Sequence, residues 1–183
     1  MKKKNRLKPI VIILLIAAAA VLLAKQFQIK NFNIISPGAL YTSGQPRGMD
    51  YSRLLYKYHI ATIINLRSPA EHRERNWYSE EITFVRGNGV KYFELPLEKN
   101  INNPAYFPDG NMQEQFLAIM ADKTNLPVLV HDSSGKNRPA MIAAVWLAKN
   151  VKCPAEKVLA TAEKIKNEPL REPETKFIHS LFR

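Results

Sequence analysis

The sequence predicts an α/β domain in which helices flank a mainly parallel sheet. Three buried strands are indicated by apolar, largely β-branched or aromatic stretches at residues 61–66, 91–95 and 127–131. Helical patterns separate these stretches, and alternating strands and helices are typical of a layered domain with a parallel sheet. Ligands bind such sheets beyond the carboxyl ends of the strands. The loop that follows residue 131 is therefore the first place to look for a site.

The first part of the domain is expected to hold a short strand and two helices. Residues 26–37 are interpreted as a connector. A strand then begins at Leu40 and ends at the turn residues Ser43-Gly44-Gln45-Pro46. Asp50 is expected to cap the first helix, and a charged helix is predicted from Pro69 towards Val85.

The second part is expected to be mostly helical. Gly87-Asn88-Gly89 is typical of a helix end, and residues 97–108 are rich in Asn and Pro, which favours an exposed loop. Apolar spacing and proline positions then predict four helices. The first has Met112, Phe116, Ile119 and Met120 on one face, and the second has Pro139 in its first turn. The last two are expected at residues 154–167 and 172–182.

The amino-terminal segment, residues 1–25, has the layout of a signal peptide or signal anchor. Five basic residues among the first eight precede residues 10–24, which hold no charged or strongly polar group. This apolar stretch is short for a membrane span, which usually needs about 20 residues. An uncleaved anchor is favoured, and cleavage after Ala20 is the alternative. The domain, residues 38–183, is expected on the non-cytoplasmic side (periplasmic or extracellular), either tethered to the membrane or secreted after cleavage.

The formal net charge of +11 does not by itself indicate a nucleic-acid partner. The amino-terminal segment supplies five of the positive charges, and the remaining excess is scattered along the chain rather than clustered. We therefore expect no nucleic-acid partner. The single cysteine, Cys153, cannot form an internal disulfide and is interpreted as a small buried residue.

Residues 131–138, His-Asp-Ser-Ser-Gly-Lys-Asn-Arg, lie between a predicted buried strand and a predicted helix. Backbone N–H groups at such a junction can converge on an anion, and the helix dipole adds partial positive charge. Gly135 permits a tight bend, Arg138 can hold two phosphate oxygens at once, and Lys136 adds a cation. The candidate phosphate-binding residues are Ser133, Ser134, Gly135, Lys136, Asn137 and Arg138.

Other motifs for anion binding and catalysis do not fit this loop. A nucleotide-binding P-loop needs glycine where Val130 stands, and Ser or Thr where Asn137 stands. The Gly-x-Ser-x-Gly elbow of serine hydrolases is absent from the sequence. The four histidines show no metal-ligand spacing, so we expect neither a metal nor another cofactor.

The loop resembles the signature of the protein-tyrosine/dual-specificity phosphatase superfamily, in which His-Cys is followed by five residues and then Arg. His131, Gly135 and Arg138 match this signature, whereas Asp132 replaces the cysteine and Pro139 replaces the usual Ser or Thr. The resemblance covers about residues 38–150 and implies the phosphatase fold, with the phosphate loop between the last strand and a helix. Lys136 after the glycine resembles the atypical members that include inositol-phosphate and lipid phosphatases. Further matches lie upstream, at Ser43-Gly44-Gln45-Pro46, at Ile64-Asn65-Leu66-Arg67 with Glu71, and at Leu95-Pro96-Leu97.

The resemblance also implies roles for individual residues. In the family, a cysteine thiolate attacks phosphorus, the arginine holds the phosphoryl oxygens, and an acid on another loop protonates the leaving group. Asp132 therefore occupies the nucleophile position and Arg138 the phosphate-holding position. Glu98 and Asp109 are the candidates for the general acid, although Asp109 could instead cap the helix that follows. Arg67 and Glu71 are expected to form a structural pair.

The replacement of cysteine by Asp132 leaves the activity open. A carboxylate is a weaker nucleophile than a thiolate, and Asp132 could also accept the N–H groups of the loop and partly plug it. The leading hypothesis is a membrane-tethered, catalytically impaired domain, a pseudophosphatase that binds a phosphorylated or anionic ligand. The alternative is an active phosphomonoesterase, acting on protein or on inositol or lipid phosphates through Asp132. The third is a structural envelope protein whose loop binds nothing.

Overall fold

A computed structural model of the chain describes residues 9–17, 28–72, 75–99 and 106–183. Residues 9–17 form a helix, α1, with exposed apolar side chains. Within the described ranges, no helix has both the length and the apolar character that crossing a membrane requires. The predicted anchor at residues 10–24 continues past residue 17 into a part outside the described residues, and the predicted cleavage position lies there too.

A five-stranded sheet forms the centre of the domain. Its strand order is β1-β2-β5-β3-β4, with β1 antiparallel to β2 and every other neighbouring pair parallel. This arrangement confirms the predicted α/β class with a mainly parallel sheet. The strands are β1 (Asn33–Ser36), β2 (Leu40–Ser43), β3 (Thr62–Asn65), β4 (Lys91–Glu94) and β5 (Val128–His131).

Helices cover both faces of the sheet, in close agreement with the sequence pattern. One 3₁₀ turn, Lys123–Asn125, precedes β5, and one π-helical turn, Trp146–Asn150, extends the helix after the loop. The helices that follow α1 are α2 (Met49–Tyr56), α3 (Pro69–His72), α4 (Asn76–Asn88), α5 (Gly110–Ala121), α6 (Asn137–Val145), α7 (Ala155–Lys166) and α8 (Glu172–Ser180).

The central strand β5 carries the core on both sides. Val128 and Val130 pack in the larger cluster, which includes all of the apolar residues of α6, while Leu129 packs with residues of α2 and α4 in the smaller one. Helix α6 is buried along its length from Arg138 to Val145. The loop between β5 and α6 is therefore held at both ends by the most deeply buried elements of the domain. Cys153 is buried, as predicted.

Two strand predictions were wrong. The predicted connector, residues 26–37, contains β1, which pairs along the outer edge of β2. Its four residues, Asn-Ile-Ile-Ser, are only partly buried and lack the apolar alternation that would reveal a strand. The strand at 91–95 is not buried on both faces, because β4 is the other edge of the sheet and its side chains are exposed or half-buried.

Two helix predictions also need correction. The helix expected from Pro69 towards Val85 is divided, because α3 ends at His72 and Arg75 is extended before α4 begins. The cap of α2 is Gly48, whose φ of 49° lies in the left-handed region. Asp50 lies in the first turn, where its carboxylate accepts a hydrogen bond from the Arg47 backbone N–H (3.1 Å).

Candidate phosphate-binding site

The loop between β5 and α6 folds around the carboxylate of Asp132. The Oδ1 atom of Asp132 accepts hydrogen bonds from the backbone N–H groups of Ser134 (2.8 Å) and Gly135 (2.5 Å). The Asp132 residue is only 5% exposed. The Asp132 carboxylate thus accepts two of the N–H groups that would otherwise be available to a bound anion. This is the partial occlusion of the loop that the sequence suggested.

Close contact with the end of β2 explains why the loop contains Gly135. Its φ is 78°, and a Cβ atom there would lie 2.3 Å from the backbone nitrogen of Gly44. Two side chains from the segment before β1 contact the outside of the loop. Lys30 Nζ donates a hydrogen bond to the Ser133 carbonyl (3.1 Å), and Asn31 Nδ2 donates one to the Ser134 carbonyl (2.7 Å). Sequence reasoning missed both contacts, since it treated this segment as a connector.

Arg138 is fixed within the first turn of α6. It is 7% exposed, and its Nη1 donates to the Glu71 carboxylate (2.8 Å) and to the Leu66 carbonyl (3.2 Å). The guanidinium also stacks on the ring of Tyr106, 4.4 Å from its centroid. Burial lowers the pKa of Arg138, but the hydrogen bond to Glu71 and the neighbouring carboxylate charges outweigh it and raise the pKa overall. Arg138 is therefore a fixed cation.

Glu71 lies between two arginines. Its Oε1 atom is 3.5 Å from Arg67 Nε, whereas its Oε2 atom, which contacts Arg138, also accepts a hydrogen bond from the Ser68 N–H (3.0 Å). Burial raises the pKa of Glu71, yet the hydrogen bonds from Arg138 and Ser68 and the charges of both arginines lower it overall. The predicted pairing of Arg67 with Glu71 is present. The sequence did not reveal that Glu71 also accepts a hydrogen bond from Arg138.

A buried carboxylate, Glu81 of α4, orients the residue that precedes Asp132. His131 Nε2 lies 3.0 Å from Glu81 Oε1, and both side chains are fully buried. Gln45, Asn65 and Tyr92 also donate hydrogen bonds to Glu81. Burial raises the pKa of Glu81, but the charge of His131 and these hydrogen bonds outweigh it. The available sequence signal was a charged residue at an inward position, four residues after the buried Trp77 and four before the buried Val85.

The remaining predicted residues occupy different positions around the loop. Ser133 is exposed, and Ser134 Oγ accepts a hydrogen bond from the Lys136 N–H (3.3 Å). Asn137 begins α6, and its Oδ1 is buried with no hydrogen-bond partner among the described residues. These residues thus lie in the loop or in the first turn of α6, and their role in binding phosphate stays a prediction.

The two candidate acids differ in their surroundings. Glu98 lines a surface recess together with Arg138, Tyr106 and Glu71. Asp109 caps α5 by accepting a hydrogen bond from the Met112 N–H (2.9 Å). The geometry places Glu98 beside the loop and gives Asp109 a structural role. Among the described residues there is no group of three or more His, Cys, Asp or Glu side chains that could hold a metal ion.

Curated relatives resemble this chain over little more than half of its length. It is 27% identical over 110 residues to the tyrosine-protein phosphatase-like protein OCA2 of Saccharomyces cerevisiae, a match that covers 58% of this chain and 50% of that protein. It is 31% identical over 108 residues to the inositol diphosphatase DSP4 of Arabidopsis thaliana, covering 59% and 50%. The chain spans about half the length of these relatives.

Solved structures share the fold. The catalytic core of Siw14 from S. cerevisiae superposes with a TM-score of 0.69 at 20% identity, covering 84% of this chain and 85% of that one. PTPMT1 in complex with PI(5)P has a TM-score of 0.63 at 15% identity, covering 82% and 94%. A model of the tyrosine phosphatase family matches residues 27–149, which include β1 to β5 and the whole loop. This chain belongs to the tyrosine phosphatase family.

Proposed function

We propose that this domain is a pseudophosphatase, a catalytically impaired phosphatase-like domain that binds a phosphorylated or anionic ligand. The observation that carries the proposal is the Asp132 carboxylate, which stands at the nucleophile position and accepts the N–H groups of Ser134 and Gly135. A thiolate there would be charged and strongly nucleophilic, whereas a carboxylate is a weak nucleophile. Loss of a covalent nucleophile can lower kcat on the order of 10⁶-fold, as in a protease.

A second carboxylate also competes with a phosphate ligand. Glu71 is hydrogen-bonded to Arg138, the side chain that would hold the phosphoryl oxygens. A phosphate in the loop must therefore exchange with Asp132 for N–H groups and with Glu71 for Arg138. This exchange predicts weak binding of a single phosphate by the native chain, because each replaced contact is already a charge-assisted hydrogen bond.

The known relatives support an anionic ligand. DSP4 is named as an inositol diphosphatase, and a crystal structure of the Siw14 catalytic domain contains citrate. The loop of this chain offers the same kind of chemistry through Arg138 and the start of α6. The class of ligand that we propose is accordingly a phosphorylated or polycarboxylate molecule.

Turnover of a generic aryl phosphate tests the proposal. The full-length chain, solubilised in a non-ionic detergent, would be compared with Asp132→Cys, with and without Mg²⁺. Keeping the amino-terminal part matters, because Lys30 and Asn31 contact the loop. Asp132→Asn is the matched control, since it removes the charge without supplying a nucleophile. We expect Asp132→Cys to show phosphatase activity, and the native chain and Asp132→Asn to show none above background.

Turnover by the native chain at a rate comparable to Asp132→Cys would overturn the proposal. It would favour the alternative, in which Asp132 is itself the nucleophile and forms an acyl phosphate. Trapping with hydroxylamine would then identify that intermediate, and dependence on Mg²⁺ would show whether a metal neutralises the phosphate. Loss of activity in Asp132→Asn would confirm that the carboxylate, rather than the loop alone, carries the reaction.

We also propose that the amino-terminal segment tethers the domain to a membrane, with the domain on the non-cytoplasmic side. The support is the apolar sequence of residues 10–24 after a basic head and the exposed apolar side chains of α1. Membrane fractions would be extracted with alkaline carbonate and tested for protease protection. The native chain should stay in the pellet, and Ile13→Glu with Leu15→Glu should release it or prevent its export. A native chain that is fully extracted without a detergent would contradict an uncleaved tether.

A further inference from the structure

A second recess, of about 490 Å³, lies beside the phosphate loop. It adjoins the loop through Ser133, which lines it and is exposed. Its other walls come from the turn before α2, from the segment after β3, from α3 and from the start of α4. Its lining consists of Arg47, Arg67, Ala70, Glu71, Arg75, Trp77 and Ser133.

Positive charge in this recess exceeds negative charge. Among the described residues, three arginines line it, against one carboxylate, that of Glu71. Arg47 and Arg75 are exposed, and within the described part of the chain neither guanidinium is within ion-pair distance of a carboxylate. Glu71 is itself shared between Arg67 and Arg138. A concave surface lined by charge of one sign raises the local concentration of oppositely charged groups.

Arg67 is held in a fixed orientation within the recess. Its guanidinium stacks on the Trp77 ring, 3.8 Å from the centroid, and the whole residue is 8% exposed. Its Nε is 3.5 Å from Glu71, and its Nη1 is 3.4 Å from Gln45 Oε1, which are long distances for N–H···O hydrogen bonds. A rigid guanidinium with weakly satisfied donors loses little entropy on binding an oxyanion.

The recess and the loop are adjacent sites rather than separate ones. Glu71 contacts Arg67 on one side and Arg138 on the other, so the two guanidinium groups are separated by about the width of one carboxylate. A ligand with one phosphate at the loop can therefore place a linked phosphate against Arg67, Arg47 and Arg75. A single phosphate in the loop has no second charged group to place against Arg47 and Arg75.

We propose that this recess is a second anion subsite, through which the protein selects ligands that carry two or more linked phosphates over monophosphates. The inference rests on the anion-binding function proposed above for the loop. It adds a specific group of residues, Arg47, Arg67 and Arg75, that read the second phosphate. It also explains how a loop occupied by its own carboxylates can bind a ligand, because the second contact adds affinity at a site that the first phosphate does not use.

Titration calorimetry with inorganic phosphates of increasing length tests the subsite. Orthophosphate, pyrophosphate and tripolyphosphate would be titrated into the full-length chain in a non-ionic detergent, without Mg²⁺ and at constant ionic strength. We expect tripolyphosphate to bind at least about tenfold more tightly than orthophosphate, as bivalent contact predicts. Equal affinities for all three would overturn the inference.

A matched pair of double variants distinguishes a built subsite from general surface charge. Arg47→Gln with Arg75→Gln removes two charges from the recess, and Lys157→Gln with Lys164→Gln removes two from exposed positions of α7. We expect the arginine variant to lose most of the preference for tripolyphosphate and to keep its affinity for orthophosphate within about threefold. The lysine variant should keep the preference. An equal loss in both variants would show that the recess is only a solvated basic surface.

Trp77 supplies an independent readout, since it forms one wall of the recess. Tripolyphosphate should change the tryptophan fluorescence of the native chain and leave that of Trp77→Phe unchanged. The outcomes also separate the two proposals. A native chain that turns over aryl phosphate but still prefers tripolyphosphate refutes the impaired function and retains the subsite. A native chain that does not hydrolyse aryl phosphate, while Asp132→Cys does, and that binds tripolyphosphate no more tightly than orthophosphate supports the impaired function and refutes the subsite.

Discussion

Glu71 and Glu174 are each held by two cationic side chains, but solvent reaches only one of the two carboxylates, that of Glu71. Glu174 is 1% exposed and pairs with Arg171 and with Lys166, which is fully buried. The Glu71 side chain is 30% exposed and lies between Arg67 and Arg138 at the edge of the phosphate loop. A cluster whose carboxylate is sealed from solvent acts on the fold alone, whereas an open cluster, whose carboxylate is exposed, can exchange it for a ligand. Similar ion pairs thus stabilise the fold in one region and, in the function that we propose, compete with a ligand in the other.

The largest expected effect is the loss of stability when the sealed cluster is broken. Glu174→Gln leaves the buried Lys166 with one carboxylate neighbour among the described residues, Glu168, which is 3.6 Å away and half-exposed. Breaking a buried pair by removing one partner costs about 3–5 kcal/mol. We expect the free energy of unfolding in urea to fall by about 3 kcal/mol, since Glu168 compensates in part.

The control for this variant removes both charges together. Lys166→Met with Glu174→Leu replaces the pair by apolar side chains of similar length, and such replacements are often neutral. We expect this double variant to retain more stability than Glu174→Gln alone. If Glu174→Gln unfolds at the same urea concentration as the native chain, the pair contributes nothing and the contrast with Glu71 disappears.

Acid should remove the contribution of the sealed cluster over a defined range. Burial raises the pKa of Glu174, but the hydrogen bonds from Arg171 and Lys166 outweigh it and lower the pKa to about 2. A carboxylate with a depressed pKa stabilises the fold above its unfolded pKa, and this stability is lost as the pH falls through the folded value. The shift corresponds to a contribution on the order of 3 kcal/mol.

Unfolding measured between pH 5 and pH 2 checks this expectation. The difference in unfolding free energy between the native chain and Glu174→Gln should be largest near pH 5 and should shrink steadily towards pH 2. Glutamine at position 174 does not titrate, whereas the other carboxylates are the same in both proteins. The difference between the two therefore reports the protonation of Glu174 alone. A difference that stays constant over this range would show that Glu174 titrates normally in the folded chain.

The same contrast shows what sequence patterns reveal. The loop and the class of fold were predicted correctly because their signals are local: an apolar strand, Gly135, Arg138 and a helix follow one another directly. The strands of the sheet's interior were recognised by their apolar character for the same reason. The two edge strands, β1 and β4, were missed or misjudged, since an edge strand is only partly buried and its residues are mixed.

Long-range contacts could not be predicted from the pattern. Glu71 and Arg138 are 67 positions apart, and Lys30 is 103 positions from the Ser133 carbonyl that it contacts. Helical or strand periodicity tells which face a residue occupies, but not which distant partner lies opposite. Glu81 was overlooked because a carboxylate is rarely fully buried unless it is paired, and its partner His131 lies on another element.

The smallest expected change in stability, and the sharpest test of the open cluster, comes from Glu71→Gln. Glutamine keeps an acceptor for the Ser68 N–H but removes the negative charge beside Arg138 and Arg67. Because partly exposed pairs are worth about 0–1 kcal/mol, we expect the free energy of unfolding to change by less than about 1 kcal/mol. Orthophosphate should bind about 5- to 10-fold more tightly, since a like charge no longer competes for Arg138.

Calorimetric titration with orthophosphate, beside Glu114→Gln as a control, decides between two roles of Glu71. Glu114 is exposed on α5, so its replacement makes the same change in net charge away from the loop. Tighter binding in Glu71→Gln alone means that Glu71 competes with the ligand. Weaker orthophosphate binding in Glu71→Gln means that Glu71 holds Arg138 in the orientation that the ligand needs. The role of Glu71 would then be structural, like that of Glu174. Equal tightening in both variants would attribute the effect to net charge and remove Glu71 from the site.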